Sequence, residues 1–159
     1  LRLSIVTLLL PALSIFVLRF TGYIASVHLQ NRSERLLPYL FTAIYYGIMT
    51  YIFYTGMSFH PFFVIMASIT SLIITIAVIN VVLKVSAHAA SICVIVGLLY
   101  GIKLNDPAIV ITYPVIGIIL VAGLVMAARL QLNAHTPKQI YLGALIGLFI
   151  SFGGAYIFL

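Results

Sequence analysis

Residues 62–83 read FFVIMASITSLIITIAVINVVL, a run without a single charged side chain. A helix of this length extends about 33 Å, enough to cross the hydrocarbon core of a bilayer, which is about 30 Å thick. The rest of the chain has the same character, because 64% of its 159 residues are hydrophobic and only 6% are charged. In soluble domains about a quarter of the residues are charged. The sequence therefore predicts that most of this protein is surrounded by lipid.

Other segments of similar length and composition flank this run. They cover residues 3–20, 36–56, 86–104, 109–127 and 139–158. A membrane β-barrel would need alternating strands of about ten residues, and these runs are continuously apolar. Helices satisfy their own backbone groups in lipid, so the sequence predicts an all-α fold, a polytopic bundle of six transmembrane helices. We expect one membrane-embedded domain over residues 1–159, and a native N-terminus upstream of Leu1 because the first residue is not methionine.

The charge of the chain excludes some partners. The net charge is +6, but the basic residues are spread along the chain, whereas nucleic-acid binders cluster them on one element. We expect no nucleic-acid partner. Cys93 is the only cysteine, which excludes a disulfide framework and a CxxC metal or redox motif. Membrane lipids are the expected surroundings of a multi-pass protein of the cell membrane. A homo-oligomer or a membrane complex is left open.

Counting helices places the breaks after the first, third and fifth helices on one side of the membrane. Most ionisable residues lie in those breaks. They are His28, Arg32, Glu34, Arg35, Lys84, His88, Arg129, His135 and Lys138. The opposite side carries little beyond Arg2, His60, Lys103 and Asp106. Cations that serve a site cannot be counted in the positive-inside rule, so the orientation in the membrane stays open.

Two clusters on the first side carry the chemistry. One is Lys84-Val85-Ser86-Ala87-His88, at the entry of the fourth helix, and the other is Arg129-x5-His135-x3-Gln139. Together they offer cations and a hydroxyl for an anion, and imidazoles that exchange protons near neutral pH. Cleavage of a phosphate ester needs such parts: positive donors on the phosphoryl oxygens, a nucleophile, and an acid for the leaving oxygen.

These two clusters resemble the motifs of the phosphatidic acid phosphatase type 2 superfamily, Ser-Gly-His and Ser-Arg-x5-His-x3-Asp, with both spacings preserved. The resemblance implies that His135 is the nucleophile and forms a phosphohistidine. It implies that His88 protonates the leaving alcohol and then activates water. Ser86 and Arg129 would hold phosphate oxygens, although Ser86 could instead cap its helix.

Several positions depart from the family pattern. The Lys-x6-Arg-Pro motif has no clean copy, and Arg35 or Lys84 would replace its cations. Ala128 stands where the family has serine, and Gln139 stands where it has aspartate. An aspartate fixes the tautomer of the histidine and stabilises the imidazolium, whereas an amide does only the first.

The resemblance implies a metal-independent lipid phosphatase, a phosphoric monoester or diphosphate hydrolase of phospholipid metabolism. Its substrate would be a lipid phosphate or a polyprenyl (pyro)phosphate. No cofactor or metal is expected, since the chain has only two acidic residues and no HExxH motif. The departures leave an alternative, a catalytically weak or inactive relative that binds lipid or serves as a structural subunit. A haem protein is disfavoured because His88 and His135 lie at helix ends. Gly143 and Gly147 form GxxxG, which predicts close helix packing.

Overall fold

The computed structural model describes residues 2–25, 33–56 and 60–158, and this part of the chain is helical without strands. A helical turn (Arg2–Ser4) and a π-helix (Ile5–Leu9) lead into the first α-helix, and a 3-10 turn (Ser33–Arg35) precedes the second. The α-helices are α1 (Leu10–Phe20), α2 (Leu36–Thr55), α3 (His60–Val82), α4 (Ala87–Asn105), α5 (Thr112–Gln131) and α6 (Pro137–Phe158). The predictions for His28 and Arg32 fall outside the described residues.

The all-α prediction is confirmed, and the helix bounds lie within a few residues of those expected from hydropathy. In the described ranges, five helices, α2 to α6, are long and apolar enough to cross a membrane. The apolar segment Ile5–Phe20 is shorter. These properties identify a helical membrane protein.

The helical segment at the start of the chain changes from a π-helix to an α-helix immediately before Pro11. Proline has no N–H, so it cannot donate to the carbonyl of Thr7, its partner four residues earlier in a regular α-helix. The π-helix Ile5–Leu9 lies at this point, and the hydroxyl of Tyr46 on α2 donates to the Thr7 carbonyl at 3.2 Å. A second hydrogen bond joins Ser14 and Tyr45 at 2.7 Å. Polar contacts therefore attach this segment to α2, where apolar side chains alone would gain little in lipid.

Helices α4 and α6 form the most extensively packed pair in the bundle. Small residues recur every four positions along the facing side of α6, namely Gly143, Gly147, Ser151 and Ala155, and all are buried. A Cβ added at Gly147 would lie 2.0 Å from the carbonyl oxygen of Ala90, and one at Gly143 would lie 2.5 Å from that of Ser86. The packing role predicted from the GxxxG pattern is confirmed.

Gly147→Ala is expected to destabilise the protein by about 1–3 kcal/mol, because the added methyl group would overlap backbone that cannot move alone. Gly153→Ala is the matched control on the same helix, since nothing lies within 4 Å of its added Cβ. The midpoint of thermal unfolding in detergent measures both effects. Equal midpoints for the two variants would contradict this account of the α4–α6 interface.

The helices define two ends of the bundle. At one end the backbone N–H of Ser86, before α4, donates to the carbonyl of Gln139 at the start of α6, at 3.1 Å. At the other end Nδ2 of Asn105 donates to the carbonyl of Ala155 at 3.0 Å. Helices α4 and α6 therefore run parallel, and their starts lie together. We call this the site end, because both sequence clusters lie there.

Candidate functional site

Ser86 fixes the position of α4 at the site end. It is the N-cap residue of α4, and its Oγ accepts a long hydrogen bond of 3.4 Å from the N–H of Ala89. Its side chain is 0% exposed. The capping role that the sequence left open is therefore the one observed. The buried hydroxyl caps the helix start, and Ser86 lines none of the three cavities described below.

His135 lies in the connection between α5 and α6, four residues before Gln139. Its Nδ1 is 3.0 Å from Oε1 of Gln139, the contact expected from this spacing. The backbone N–H of Thr136 also donates to Oε1, at 3.3 Å. A backbone N–H can only donate, so Oε1 is the accepting oxygen of the amide. Nδ1 must then carry the proton, which leaves a lone pair on Nε2.

The turn that positions His135 depends on Asn133. This residue follows the C-cap of α5 with φ +50°, a left-handed conformation that asparagine tolerates better than most side chains. Its N–H donates to the carbonyl of Leu130, and the N–H of Ala134 donates to that of Arg129. Asn133 was not among the residues predicted from the sequence, although an asparagine just past a helix end is the usual signal for such a turn.

The environment of His135 favours its neutral form. Burial lowers the pKa of the imidazole, and the hydrogen bond to Gln139 partly opposes that shift. The positive charges of Lys84, Arg35 and Arg129 lower the pKa further. A neutral ring with a free Nε2 is the form that can act as a nucleophile.

His135 opens onto a cavity of about 350 Å³ at the site end. Lys84, Asn133, Thr136 and Gln139 also line it. Lys84 and His135 thus line one cavity that is open to the outside. The arrangement suits an anion that must be reached by both groups.

Arg129 interacts electrostatically with both histidines. Its charge acts on His135 and on His88, so it is within electrostatic range of both rings. Its Nε is buried and has no hydrogen-bond partner in the described part of the chain. An unsatisfied buried donor costs about 1–3 kcal/mol, and more when it is charged.

His88 does not share the His135 cavity. It is exposed, and it lines a separate cavity of about 380 Å³ with Ser91 and Ile95 of α4 and Val125 of α5. The sequence places His88 on the same side of the membrane as His135, but its side chain lies at the surface of α4 and outside the His135 cavity. Ala89 and Ala90 occupy the buried side of the first turn of α4, and each helical residue is rotated by about 100° from the last, so His88 is turned outwards.

Comparisons with protein-family models, with curated proteins and with solved structures find no match for this chain. The geometry at the site end is therefore the basis for a functional proposal. At the site end Arg35, Lys84 and Arg129 act electrostatically on His135, which is paired with Gln139. Ser86 caps α4, and His88 lines a separate cavity.

Proposed function

We propose that this protein is a membrane-embedded, metal-independent lipid phosphatase that acts through a phosphohistidine, as in the phosphatidic acid phosphatase type 2 superfamily. One observation carries the proposal: Gln139 and the Thr136 amide fix the tautomer of His135 so that Nε2 is free, with three cations within electrostatic range. In this proposal the helical segment before Thr21 is the first of six spans, attached to α2 by the hydrogen bonds of Tyr45 and Tyr46.

In the first step the lone pair on Nε2 of His135 attacks phosphorus, and the bond between phosphorus and the ester oxygen breaks. The electron pair stays on the leaving oxygen, which takes a proton from an acid. Lys84, Arg35 and Arg129 stabilise the negative charge on the other phosphoryl oxygens. The buried Nε–H of Arg129 gains a hydrogen-bond acceptor when phosphate binds.

In the second step water attacks the phosphohistidine, and the phosphorus–nitrogen bond breaks to release inorganic phosphate and restore His135. We assign His88 as the group that protonates the leaving oxygen and then takes a proton from the attacking water. Its place beside the same arginine supports this assignment.

A second function is favoured by specific observations. Gln139 cannot supply the negative charge that stabilises an imidazolium, and His88 lies in a separate cavity from His135. A protein that binds anionic lipid without turning it over would fit both facts. Phosphate release by the purified chain separates the two functions.

We expect the purified protein to release inorganic phosphate from phosphatidic acid in mixed micelles. The acid limb of its pH profile should lie below the ordinary histidine pKa, because His135 must be neutral to attack and its pKa is lowered. Lys84→Met removes one of the charges that lower it, so the pKa should rise and the acid limb should move to higher pH. Phosphate release measured across pH, as kcat/KM, reports this shift.

Lys138→Met is the matched control. It makes the same change of charge three residues after His135, but Lys138 is exposed and is not among the charges that act on that ring. Its acid limb should coincide with that of the unmodified protein. No phosphate release from any lipid phosphate by a well-folded chain would favour the binding function, and equal shifts in both variants would contradict the electrostatic argument.

A further inference from the structure

A mostly apolar cavity with a volume of about 570 Å³ lies between α2, α3 and α4. Cavities that hold small ligands have volumes of about 300–1,000 Å³. Its wall is formed mainly by aliphatic side chains, among them Ile65, Ile69 and Ile76 of α3 and Leu98 of α4. None of its lining residues takes part in the polar contacts around His135.

Three of the four hydroxyl groups in this wall donate to backbone carbonyls. Thr42 donates to the carbonyl of Pro38 at 2.7 Å, Ser91 donates to that of Ala87 at 2.8 Å, and Tyr46 donates to that of Thr7. A polar ligand would therefore find few free partners here. The cavity suits a hydrocarbon.

The depth of the cavity matches one leaflet of a bilayer. Its lining on α4 runs from Ala87, at the site end, to Leu98. Eleven residues of helix correspond to about 16 Å. This is close to half of the hydrocarbon core, which is about 30 Å thick. A chain that entered at the site end would reach about the middle of the membrane.

The part of the cavity that lies at the site end, which we call its mouth, is close to Arg35. Tyr39 lines the cavity one helical turn after Arg35 and lies within electrostatic range of that charge. On α4, Ala87, Ser91 and Ile95 line both this cavity and the one that contains His88. Positive charge at the mouth and an apolar interior complement an anionic lipid, with its headgroup at the interface and its chain below.

We propose that this cavity binds one hydrocarbon chain of a phosphate-bearing lipid whose headgroup lies among Arg35, Lys84 and Arg129. The identity of the headgroup rests on the proposed function, and the chain site rests on the cavity itself. Binding of the chain holds the phosphate at the interface beside His135. The protein therefore selects anionic lipids with long chains over soluble phosphate esters.

Photo-crosslinking tests this proposal with the full chain in phosphatidylcholine vesicles. The probe is phosphatidic acid with a diazirine in one acyl chain, and a phosphatidylcholine with the same chain is the comparison. We expect the phosphatidic acid probe to label the cavity wall, and unlabelled phosphatidic acid to compete. Ile69→Trp fills the middle of the cavity and should reduce this labelling about fivefold or more, equivalent to about 1 kcal/mol. Val78→Trp, at a 65% exposed position on the same helix, should not reduce it.

Labelling confined to the outer surface, labelling unchanged by Ile69→Trp, or equal labelling of the wall by both probes would overturn the proposal. Turnover is not needed for crosslinking, so His135→Ala should be labelled like the unmodified chain. Labelling of the wall without phosphate release would therefore refute the catalytic function and retain the chain site. Phosphate release without such labelling would retain the catalytic function and refute the chain site.

Discussion

His135→Ala is expected to lower phosphate release by at least about a thousandfold, because removal of the nucleophile in well-studied hydrolases costs up to about 10⁶-fold in kcat. No other imidazole can replace it at the same place, since His88 lines a different cavity. Alanine also leaves Gln139 without its partner at Nδ1. Phosphate release and incorporation of labelled phosphate into the protein should be lost together.

His60→Ala is the matched control for this variant. His60 is exposed at the start of α3, where its ring lies 5.7 Å from that of Phe63. Phe63 in turn contacts Phe158 at the far end of α6, so His60 lies at the end of the bundle opposite the site. The His60→Ala variant should retain normal activity.

Activity of the unmodified protein should also survive EDTA. Loss of activity with chelator and its return with Mg²⁺ would refute a histidine nucleophile acting without metal.

Features that depend on local sequence could be predicted. Long apolar runs give helices whatever the neighbours are, because no other open structure satisfies the backbone in lipid. The four-residue spacing of Gly143 and Gly147 predicted a close helix contact, since small residues allow helices to approach closely, and the structure adds that the partner is α4. The same spacing placed Gln139 at the imidazole of His135, because residues four apart in or near a helix face each other.

Features that depend on the packing of separate helices could not be predicted. The motif spacing places Ser86 and His88 at the start of α4, but only the contact of α4 with α6 determines which of them is buried. The backbone carbonyl of Gln139 accepts the Ser86 N–H, and at this contact Ser86 is buried while His88 is exposed. The chain-binding cavity was also missed, because its wall comes from three helices and each contributes ordinary apolar residues.

Gln139→Glu is expected to increase phosphate release about tenfold or more, because a carboxylate would stabilise the imidazolium character that develops as His135 reacts. In serine proteases the opposite change, from aspartate to asparagine, costs about 10⁴-fold. Glutamate has the same length as glutamine, so its oxygen can keep the 3.0 Å contact with Nδ1 and the hydrogen bond from Thr136. The tautomer that frees Nε2 is thus retained while a negative charge is added. Gln139→Asp should give a smaller gain, because its side chain is shorter by one methylene group.

The pH profile distinguishes this explanation from a general change in the site. An opposite charge beside the imidazole raises the pKa of His135, so the acid limb of kcat/KM should move to higher pH as the maximal rate increases. Gln139→Met removes the acceptor and adds no charge. In this variant the tautomer of His135 should no longer be fixed, and activity should fall. If Gln139→Glu folds normally, shows the shifted limb and yet is no faster, then the charge reaches His135 but imidazolium stabilisation does not limit turnover. If the limb does not move, Gln139 is not the functional partner of the histidine.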